Sequence, residues 1–406
     1  MVGKKLVIPV VLTSGVFITL DPVLAHARYF FNFPTPVTPI AKETLYIHDL
    51  FLVIVTIIFV ISVSILLYSV FTHRKSRGHT PAAFTKPTGA KQWIFAIIPF
   101  LVLAFIDFIV FGIPAFRSTL ALADVRHADM VVKVTASQWK WQYEYPGDGI
   151  KYTSSLSTPQ DEIYGNAPKD THFLREVDHP LVLPTNEKID IVLASADVIH
   201  SFWVPAFGIK QDAVPGFLRE TWVKIEKPGV YRGQCAELCG VGHAFMPIVV
   251  VAKTEPEFKQ WLARQKAKQA AVAAESGKTF TKEDLITRGK KVYDTNCAMC
   301  HQATGLGIAG AFPPIAAGHP FSAAPQMIAD LTKLEFYKDG KIVMGPVEHH
   351  LHIVLHGIPG TPMRAFGPQL SDVDIAAVIT YERNDFGNHT GDVIQPAQVQ
   401  VARAGK

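Results

Sequence analysis

The chain has 406 residues, and its 39 lysines and arginines nearly balance its 35 aspartates and glutamates, which leaves a formal net charge of +4. So small a charge, with no long basic run, gives no reason to expect nucleic-acid binding. The length exceeds that of one ordinary hydrophobic core and predicts two or more domains. A hydrophobic content of 49% indicates membrane segments.

The first 27 residues have the pattern of an export signal. Lys4 and Lys5 precede an apolar run, and small residues at positions 25 and 27 resemble a cleavage site. The alternative is a short, uncleaved transmembrane segment, which Pro9 and Pro22 disfavour. We therefore predict a signal peptide over residues 1–27.

Two later stretches are apolar and long enough to cross a bilayer, and we predict helices over about 46–72 and 92–116. The segment between them carries five lysines and arginines and no acidic residue, which places it in the cytoplasm. Everything after Arg117 is then outside. Asp107 lies roughly 15 Å from Arg117 along the second helix, inside the hydrocarbon. We expect Asp107 to contact a neighbouring helix, with a role in a proton path as the alternative.

From Met130 the chain changes to short β-type runs that are separated by Pro-Gly turns. This pattern predicts an antiparallel sandwich. One run places alternating aromatic residues on a single strand face, namely Trp139, Trp141, Tyr143 and Tyr145. We expect most of this row to lie in the core, although a tryptophan close to a metal could also carry electrons.

Residues 234–246 concentrate metal ligands. This run contains Cys235, Cys239, His243 and Met246, with Glu237 between the two cysteines. Thiolate, imidazole and thioether donors together suit copper, whereas zinc sites rarely include a thioether. Two thiolates four residues apart can bridge two metal ions, and His200 is the candidate for a further imidazole. The alternative without metal is a pair of buried, reduced cysteines beside a core histidine.

Residues 40–255 resemble cytochrome c oxidase subunit II, which has a helical hairpin and a cupredoxin domain. The motifs that carry the resemblance are S-Q-W-K-W-Q-Y-E-Y, A-D-V-I-H-S-F-W-V-P, K-Q-D-A-V-P-G and Q-C-A-E-L-C-G-V-G-H-A-F-M. The resemblance implies that electrons reach the copper through Trp139, and that Glu237 binds magnesium shared with subunit I through its carboxylate. It implies a dinuclear copper A centre held by His200, Cys235, the main-chain carbonyl of Glu237, Cys239, His243 and Met246.

The chain departs from the family pattern at two positions. Gln92 stands where the family usually has a glutamate that marks the mouth of a proton pathway, so this entrance is in doubt. Phe217 replaces a common arginine, which predicts a different local contact with the partner subunit.

Residues 256–278 are rich in Ala, Lys, Gln and Glu and predict a helical linker, or else the last helix of the preceding domain. Next, Cys297-Ala-Met-Cys300-His301 is the c-type haem attachment motif. The two thiols would form thioethers with the haem vinyl groups, and His301 would bind the iron. Met363 is the favoured sixth ligand, with Met344 second, because methionine suits a high-potential electron carrier.

Residues 279–390 resemble class I cytochrome c, and this resemblance also supports Met363. A run of histidines lies in the same region, at His349, His350, His352 and His356. Three of them would share a helix face, but solvated or haem-edge histidines are favoured over a metal site. We expect the tail, residues 391–406, to be disordered.

The predicted fold is that of a multidomain membrane protein. Its parts are a transmembrane hairpin within residues 28–117, an all-β cupredoxin-like sandwich over 118–255 and an all-α class I cytochrome c domain over 279–390. No nucleophile or substrate cavity is indicated, so the chain is predicted to move electrons. The linker would raise the effective concentration of the haem domain to about millimolar, so haem-to-copper transfer should not depend on total protein concentration.

A cytochrome c domain fused to subunit II resembles the caa-type haem-copper oxidases. The resemblance implies a path from haem c to copper A and on to subunit I, where O2 is reduced to water with proton translocation. It implies subunits I and III as partners, a soluble cytochrome or copper protein as donor, and a bacterial plasma membrane with both redox domains on the periplasmic side. The alternatives are the electron-input subunit of a copper A-type nitric oxide reductase and a free-standing, membrane-tethered carrier.

Overall fold

The computed structural model describes residues 32–78, 80 and 89–405. The predicted signal peptide lies outside these residues. The described chain forms a pair of membrane-length helices, then a β-sandwich, then a helical domain, which confirms the predicted fold class.

The first long helix, α1 (Pro39–Thr72), begins before the predicted position 46. The reason is a local cap: the Thr38 hydroxyl accepts a hydrogen bond from the Ala41 N–H at 3.0 Å and donates one to the Phe207 carbonyl at 2.7 Å. Gly208 makes this contact close, because a Cβ there would lie 3.1 Å from that of Ala41. The start of α1 is therefore attached to the sandwich.

The second span is continuous from residue 90 to residue 123 and so extends beyond the predicted end at 116. It consists of α2 (Ala90–Ala104), a π-helical segment (Phe105–Gly112) and α3 (Ile113–Ala123). Both spans are apolar over their length, with mean hydropathy of 3.2 and 2.8 in their most apolar windows. Asp107 lies in the π-helical segment with its side chain exposed, so its contact with a helix of another subunit stays a prediction.

The sandwich consists of two five-stranded sheets. One sheet has the order β3 (Ile150–Ser154), β2 (Lys140–Tyr145), β1 (Met130–Ser137), β5 (Ile189–Ser195), β8 (Arg219–Val223). The other has the order β4 (Leu181–Pro184), β10 (Pro247–Lys253), β9 (Gly229–Cys235), β6 (His200–Val204), β7 (Ile209–Ala213). The short helix α4 (Gln160–Ile163) lies in the connection between β3 and β4.

The expectation of a purely antiparallel sandwich was wrong. Strand β1 pairs in parallel with β5, and β4 pairs in parallel with β10. Parallel neighbours need a long connection, and in both cases the chain makes other strands before it returns. Turn signals report on adjacent strands only, so they could not reveal these two pairings.

The aromatic row of β2 lies in the core, as expected for most of its members. Trp141, Tyr143 and Tyr145 are fully buried, whereas Trp139 precedes the strand and is only partly buried. Helix α5 (Glu255–Glu275) follows the sandwich and packs Trp261 against Tyr145, with ring centroids 5.3 Å apart. The start of the predicted linker helix is therefore fixed to the sandwich.

The helical domain contains six helices: α6 (Lys282–Asn296), α7 (Ala298–His301), α8 (Pro325–Lys333), α9 (Val347–His356), α10 (Asp372–Asn384) and α11 (Pro396–Arg403). A small hairpin, β11 (Tyr337–Lys338) and β12 (Lys341–Ile342), lies between α8 and α9. Helices α6 and α10 cross closely at Gly289, where a Cβ would lie 2.6 Å from the Cβ of Tyr381.

The expected disorder of the tail was also wrong. Val399 of α11 is fully buried in the core of the helical domain, and the Arg403 side chain forms an ion pair with Asp372 at 2.9 Å. Val399 and Val401 alternate with glutamines in the tail, a period of two that does not indicate a helix. Its order comes from packing on α10.

Candidate metal and haem sites

The copper ligands predicted from the sequence lie together at one end of the sandwich. Cys235 ends β9, and the loop from there to β10 carries Cys239, His243 and Met246. The two Sγ atoms are 3.8 Å apart. Cys239 Sγ is 3.5 Å from His243 Nδ1 and also 3.5 Å from Met246 Sδ. The Glu237 carbonyl oxygen lies 3.3 Å from Cys235 Sγ.

His200 reaches the same cluster from β6. Its Nδ1 is 3.2 Å from Met246 Sδ and 3.9 Å from Cys235 Sγ. Its Nε2–H donates to Asp197 Oδ1 at 2.8 Å, which fixes the ring and leaves Nδ1 facing the two sulfurs. Asp197 is itself held by the main-chain N–H groups of Gln138 and Val198, each at 2.7 Å.

Electrostatics prepare the two thiols for a metal. The contact between the two thiols lowers the pKa of Cys235 below its usual range and raises that of Cys239, so one proton is shared by the pair. Burial lowers the pKa of His200, but its hydrogen bonds to Asp197 and Cys235 outweigh burial and raise it. A metal cation would release the second thiol proton as it binds.

The cluster fits a dinuclear copper centre. His200, Cys235 and Cys239 are 0–3% exposed, and their ligand atoms lie within 4.8 Å of one another. Two thiolates, two imidazoles, a thioether and a carbonyl form a mixed soft donor set that suits copper and is unusual for zinc. The geometry therefore supports the copper A assignment, which stays a prediction for each ligand.

A largely apolar cavity in the helical domain contains the haem attachment motif. Cys297, Cys300, His301 and Met363 all line it, together with apolar side chains such as Leu331, Phe336 and Ile353. His301 Nδ1–H donates to the Pro313 carbonyl at 2.8 Å, which leaves Nε2 for an iron atom. Burial lowers the pKa of His301, so the imidazole stays neutral, as a ligand must be.

Two buried nitrogen atoms in this cavity have no hydrogen-bond partner among the described residues: His350 Nδ1, and Arg364 Nη1, which forms only a 3.9 Å ion pair with Asp197 Oδ2. His350 is held by Glu382, whose carboxylate lies 2.8 Å from Nε2. Unpartnered buried polar atoms are costly, so they indicate a polar group that completes the cavity. A haem with its propionates would bring such groups, and the cavity thus fits haem c.

The sandwich forms part of the wall of this cavity. Gln138, Trp139 and Lys140 all line it. The Trp139 indole N–H donates to the Cys239 carbonyl at 3.0 Å, and its ring lies against Gly240, where a Cβ would be 3.2 Å from it. Trp139 therefore lies between the copper loop and the haem cavity.

The remaining predicted positions lie away from these two sites. His352 and His356 are exposed on α9 with ring centroids 4.9 Å apart, and His349 Nδ1–H donates to the Leu334 carbonyl at 3.1 Å. Phe217 is 66% exposed. Gln92 is exposed near the start of α2. In the described residues, only His350 of the histidine run enters the haem cavity.

We expect Met363→Ala to lower the reduction potential of haem c by about 0.1 V or more, within the range of roughly 0.8 V that axial ligands span. The thioether stabilises ferrous iron, and its loss leaves the covalent thioether links intact. The measurement is a redox titration of the purified protein with its visible spectrum. Met344→Ala is the matched control, because Met344 packs in the neighbouring apolar cluster and is absent from the cavity lining. If only Met344→Ala lowered the reduction potential, Met344 and not Met363 would be the sixth ligand.

Several contributing residues were missed in the sequence. Asp197 stands three positions before His200, a spacing that the need for a carboxylate behind a metal-bound histidine could have revealed. Pro313 acts through its carbonyl, which no side-chain pattern reports. Lys140 and Arg364 gave no signal, because each becomes significant only where two domains meet.

Comparison with known proteins gives three family matches. Residues 26–113 match the transmembrane domain of cytochrome c oxidase subunit II, residues 130–253 match its periplasmic domain, and residues 286–384 match cytochrome c. Together these matches cover the helical pair, the sandwich and most of the helical domain.

Among curated proteins, the probable cytochrome c oxidase subunit 2 of Rickettsia bellii is 34% identical over 233 residues, which cover 57% of this chain and 82% of that protein. Cytochrome c oxidase subunit 2 of Cereibacter sphaeroides is 34% identical over 245 residues, covering 57% and 78%. A crystal structure of the periplasmic domain of subunit II of the Bradyrhizobium japonicum cytochrome oxidase is 42% identical, covers 36% of this chain and 98% of that one, and has a TM-score of 0.32.

Proposed function

The chain belongs to the cytochrome c oxidase subunit II family, and on that basis we propose that it is the electron-input subunit of a terminal haem-copper oxidase. In this proposal, haem c takes electrons from a donor and copper A passes them to subunit I, where O2 is reduced to water with proton translocation. The residues of this chain bind the two centres, keep water away from them and set the distance between them.

One observation carries this proposal: Trp139 lines the haem cavity and donates a hydrogen bond to the carbonyl of Cys239, a copper ligand. A single side chain thus contacts both sites. The indole offers a π-system and a direct hydrogen bond to the copper loop in one continuous path. Trp139 is therefore the proposed route by which electrons reach the copper.

Four of the proposed copper ligands, His200, Cys235, Cys239 and Met246, are buried in the sandwich. His200 and Cys235 come from neighbouring strands of one sheet, where Cys235 pairs with Phe202, and Asp197 fixes the His200 ring. Rigid ligands reduce the rearrangement that accompanies a change of charge at a metal. Fast electron transfer in both directions needs this property.

The copper loop also suits a contact with subunit I. Leu238 and Val241 are 79% and 76% exposed, although they lie on the loop that carries three copper ligands. Exposed apolar side chains at a functional loop indicate a protein interface. Glu237 is half-buried on the same loop, so its carboxylate would be positioned for a magnesium ion shared with subunit I. Subunit III completes the proposed complex.

The proposed location is the bacterial plasma membrane, with both redox domains on the periplasmic side. The arginines and lysines between the spans support this orientation. Periplasmic exposure also suits covalent haem attachment at Cys297 and Cys300. A soluble cytochrome or copper protein is the proposed donor to the haem.

The test is to purify the full chain from solubilised membranes with whatever binds it. We expect a catalytic subunit to copurify, haem c and copper to be present, and the complex to consume O2 when a reductant is supplied. Consumption of nitric oxide without O2 consumption would instead identify a nitric oxide reductase. A chain that carries both centres but purifies with no catalytic subunit would be a free-standing carrier.

A further inference from the structure

Two cationic side chains cross the boundary between the sandwich and the helical domain, in opposite directions. Lys140 of β2 donates from Nζ to Asn296 Oδ1 at the end of α6, at 3.1 Å. Arg364, the residue after Met363, extends from the helical domain to Asp197, with Nη1 3.9 Å from Oδ2. Both side chains line the haem cavity next to Trp139.

Lys140 has a specific partner. It is 4% exposed, and no carboxylate forms an ion pair with it in the described part of the chain. The Asn296 amide donates from Nδ2 to the Val292 carbonyl at 3.0 Å, so its orientation is set and Oδ1 is left for Lys140. A buried amino group without a hydrogen-bond acceptor is costly. Moving the helical domain away from the sandwich would break the Lys140–Asn296 hydrogen bond and leave Lys140 without one.

Phe366 joins the two contacts. Lys140 Nζ lies 4.4 Å from the centroid of its ring, and Arg364 Cζ lies 5.4 Å from it. Cation–π attraction to a shared, buried ring offsets part of the cost of burying two like charges. Burial and the neighbouring Arg364 both lower the pKa of Lys140, and burial lowers that of Arg364 to about 10, as expected for such close packing.

The linker alone would not fix this arrangement. Helix α5 is anchored on the sandwich by Phe258 and Trp261, and only residues 276–281 separate its end from α6. Six extended residues span at most about 20 Å, which keeps the haem domain near the copper domain. The partly exposed Arg288–Glu275 ion pair between α6 and the end of α5, at 2.9 Å, is only a weak restraint on its orientation. Orientation must come from contacts at the boundary itself.

We propose that Lys140 and Arg364 form an interdomain clasp that holds the haem domain over Trp139 and closes the copper face to soluble donors, so that external electrons enter through the haem alone. The clasp is defined by the Lys140–Asn296 and Arg364–Asp197 contacts. This proposal rests on the proposed function. It adds the residues that would hold haem and copper at one distance, so that electron transfer takes place within a single arrangement of the two domains. Lys140 and Arg364 are positioning residues in it.

The sharpest test exchanges the two partners of one contact. Lys140→Asn and Asn296→Lys are made singly and together in the purified complex, with Lys151→Asn as control, because Lys151 is exposed on the edge strand of the same sheet and forms only a surface ion pair with Glu144. Pulsed electron paramagnetic resonance measures the distance distribution between oxidised haem and copper. Flash reduction measures the rate of haem-to-copper transfer at low and high salt.

We expect one narrow distance and a salt-independent, first-order rate for the parent complex and for Lys151→Asn, since buried contacts are little screened. Each single exchange should broaden the distance and slow transfer about tenfold, which a docking change of ~1.4 kcal/mol gives. The double exchange should recover both values, because it rebuilds the hydrogen bond in the reverse direction. Arg364→Gln should broaden the distance and Arg364→Lys should restore most of it.

Three outcomes would overturn the clasp. Single exchanges could leave the distance and the rate unchanged, or the double exchange could fail to recover them. A soluble reductant cytochrome could also reduce copper before haem in the parent complex, when both absorbance bands are followed by stopped flow. A different result would contradict the proposed function itself, namely a purified complex that lacks haem c or copper A.

Discussion

Trp139→Phe should slow haem-to-copper electron transfer by at least about tenfold, a rise of ~1.4 kcal/mol in the effective barrier. The substitution keeps an aromatic ring but removes the N–H group that donates to the Cys239 carbonyl at 3.0 Å. It also shortens the ring that fills the space between the haem cavity and Gly240. Flash reduction of haem c followed by the appearance of reduced copper measures the rate directly, and O2 consumption should fall in parallel.

Trp141→Phe is the matched control. Its indole N–H donates to the Met246 carbonyl at 3.3 Å, so this change also removes one hydrogen bond to the copper loop. Trp141 is fully buried in the sandwich and is absent from the haem cavity lining. We expect lower stability but a nearly unchanged transfer rate in molecules that retain copper. Equal slowing by both variants would mean that the loop, and not the Trp139 route, limits transfer.

Cys235→Ser should abolish the copper centre and leave haem c in place. Cys235 and Cys239 would supply the thiolate donors to copper, and a serine hydroxyl is a hard, weakly acidic donor that cannot replace a thiolate at neutral pH. Copper analysis of the purified complex should show loss of the dinuclear centre, whereas the haem c spectrum stays. O2 consumption driven through haem c should fall to background, because the next acceptor is missing.

Cys300→Ser provides the reciprocal control. It removes one thioether link in the haem cavity, and its site shares no ligand with the copper loop. Copper content should therefore stay at the parent level. Copper retained by Cys235→Ser at the parent stoichiometry would contradict a thiolate-bridged centre.

Binding of copper should also stabilise the sandwich. Ligand binding to the folded state alone adds RT ln(1 + [L]/Kd), and the predicted ligands come from β6, β9 and the loop before β10. Metal-free sandwich should thus exchange the amide hydrogens of these elements faster. His200 begins β6 and Cys235 ends β9, and these two strands pair with each other through Phe202 and Cys235, so a metal bound to both residues connects two neighbouring strands of the sheet.

Local patterns in the sequence determined the chemistry of both centres. Four side-chain copper donors and the Glu237 carbonyl fall within residues 235–246, and the haem motif spans residues 297–301, so the members of each set are close together along the chain. The two membrane spans were also predicted from local sequence, because an uncharged apolar run of this length is typical of a transmembrane helix. Alternation alone predicted that most of the aromatic row lies in the core, and three of its four members, Trp141, Tyr143 and Tyr145, are buried.

Elements that depend on distant partners were predicted less well. The parallel pairing of β1 with β5 and the packing of α11 on α10 both reverse sequence-based expectations. Neither has a local signal, because strand order and tail docking are set by how whole faces bury apolar surface. Helix ends also shifted, since Thr38 begins α1 through a contact with Phe207 that is distant in the chain.

The tertiary structure alone decided how the two centres relate. The sequence named Trp139 as one member of an aromatic row, and the family resemblance named it as the electron route to copper. Its place between Cys239 and the haem cavity, however, depends on the docking of two domains. Asp197, Lys140 and Arg364 are unremarkable charged residues in the sequence. Folding brings them to one boundary, where Lys140 is buried and Arg364 and Asp197 are partly buried. An unpartnered charge there is costly, which is the physical basis of the proposed clasp.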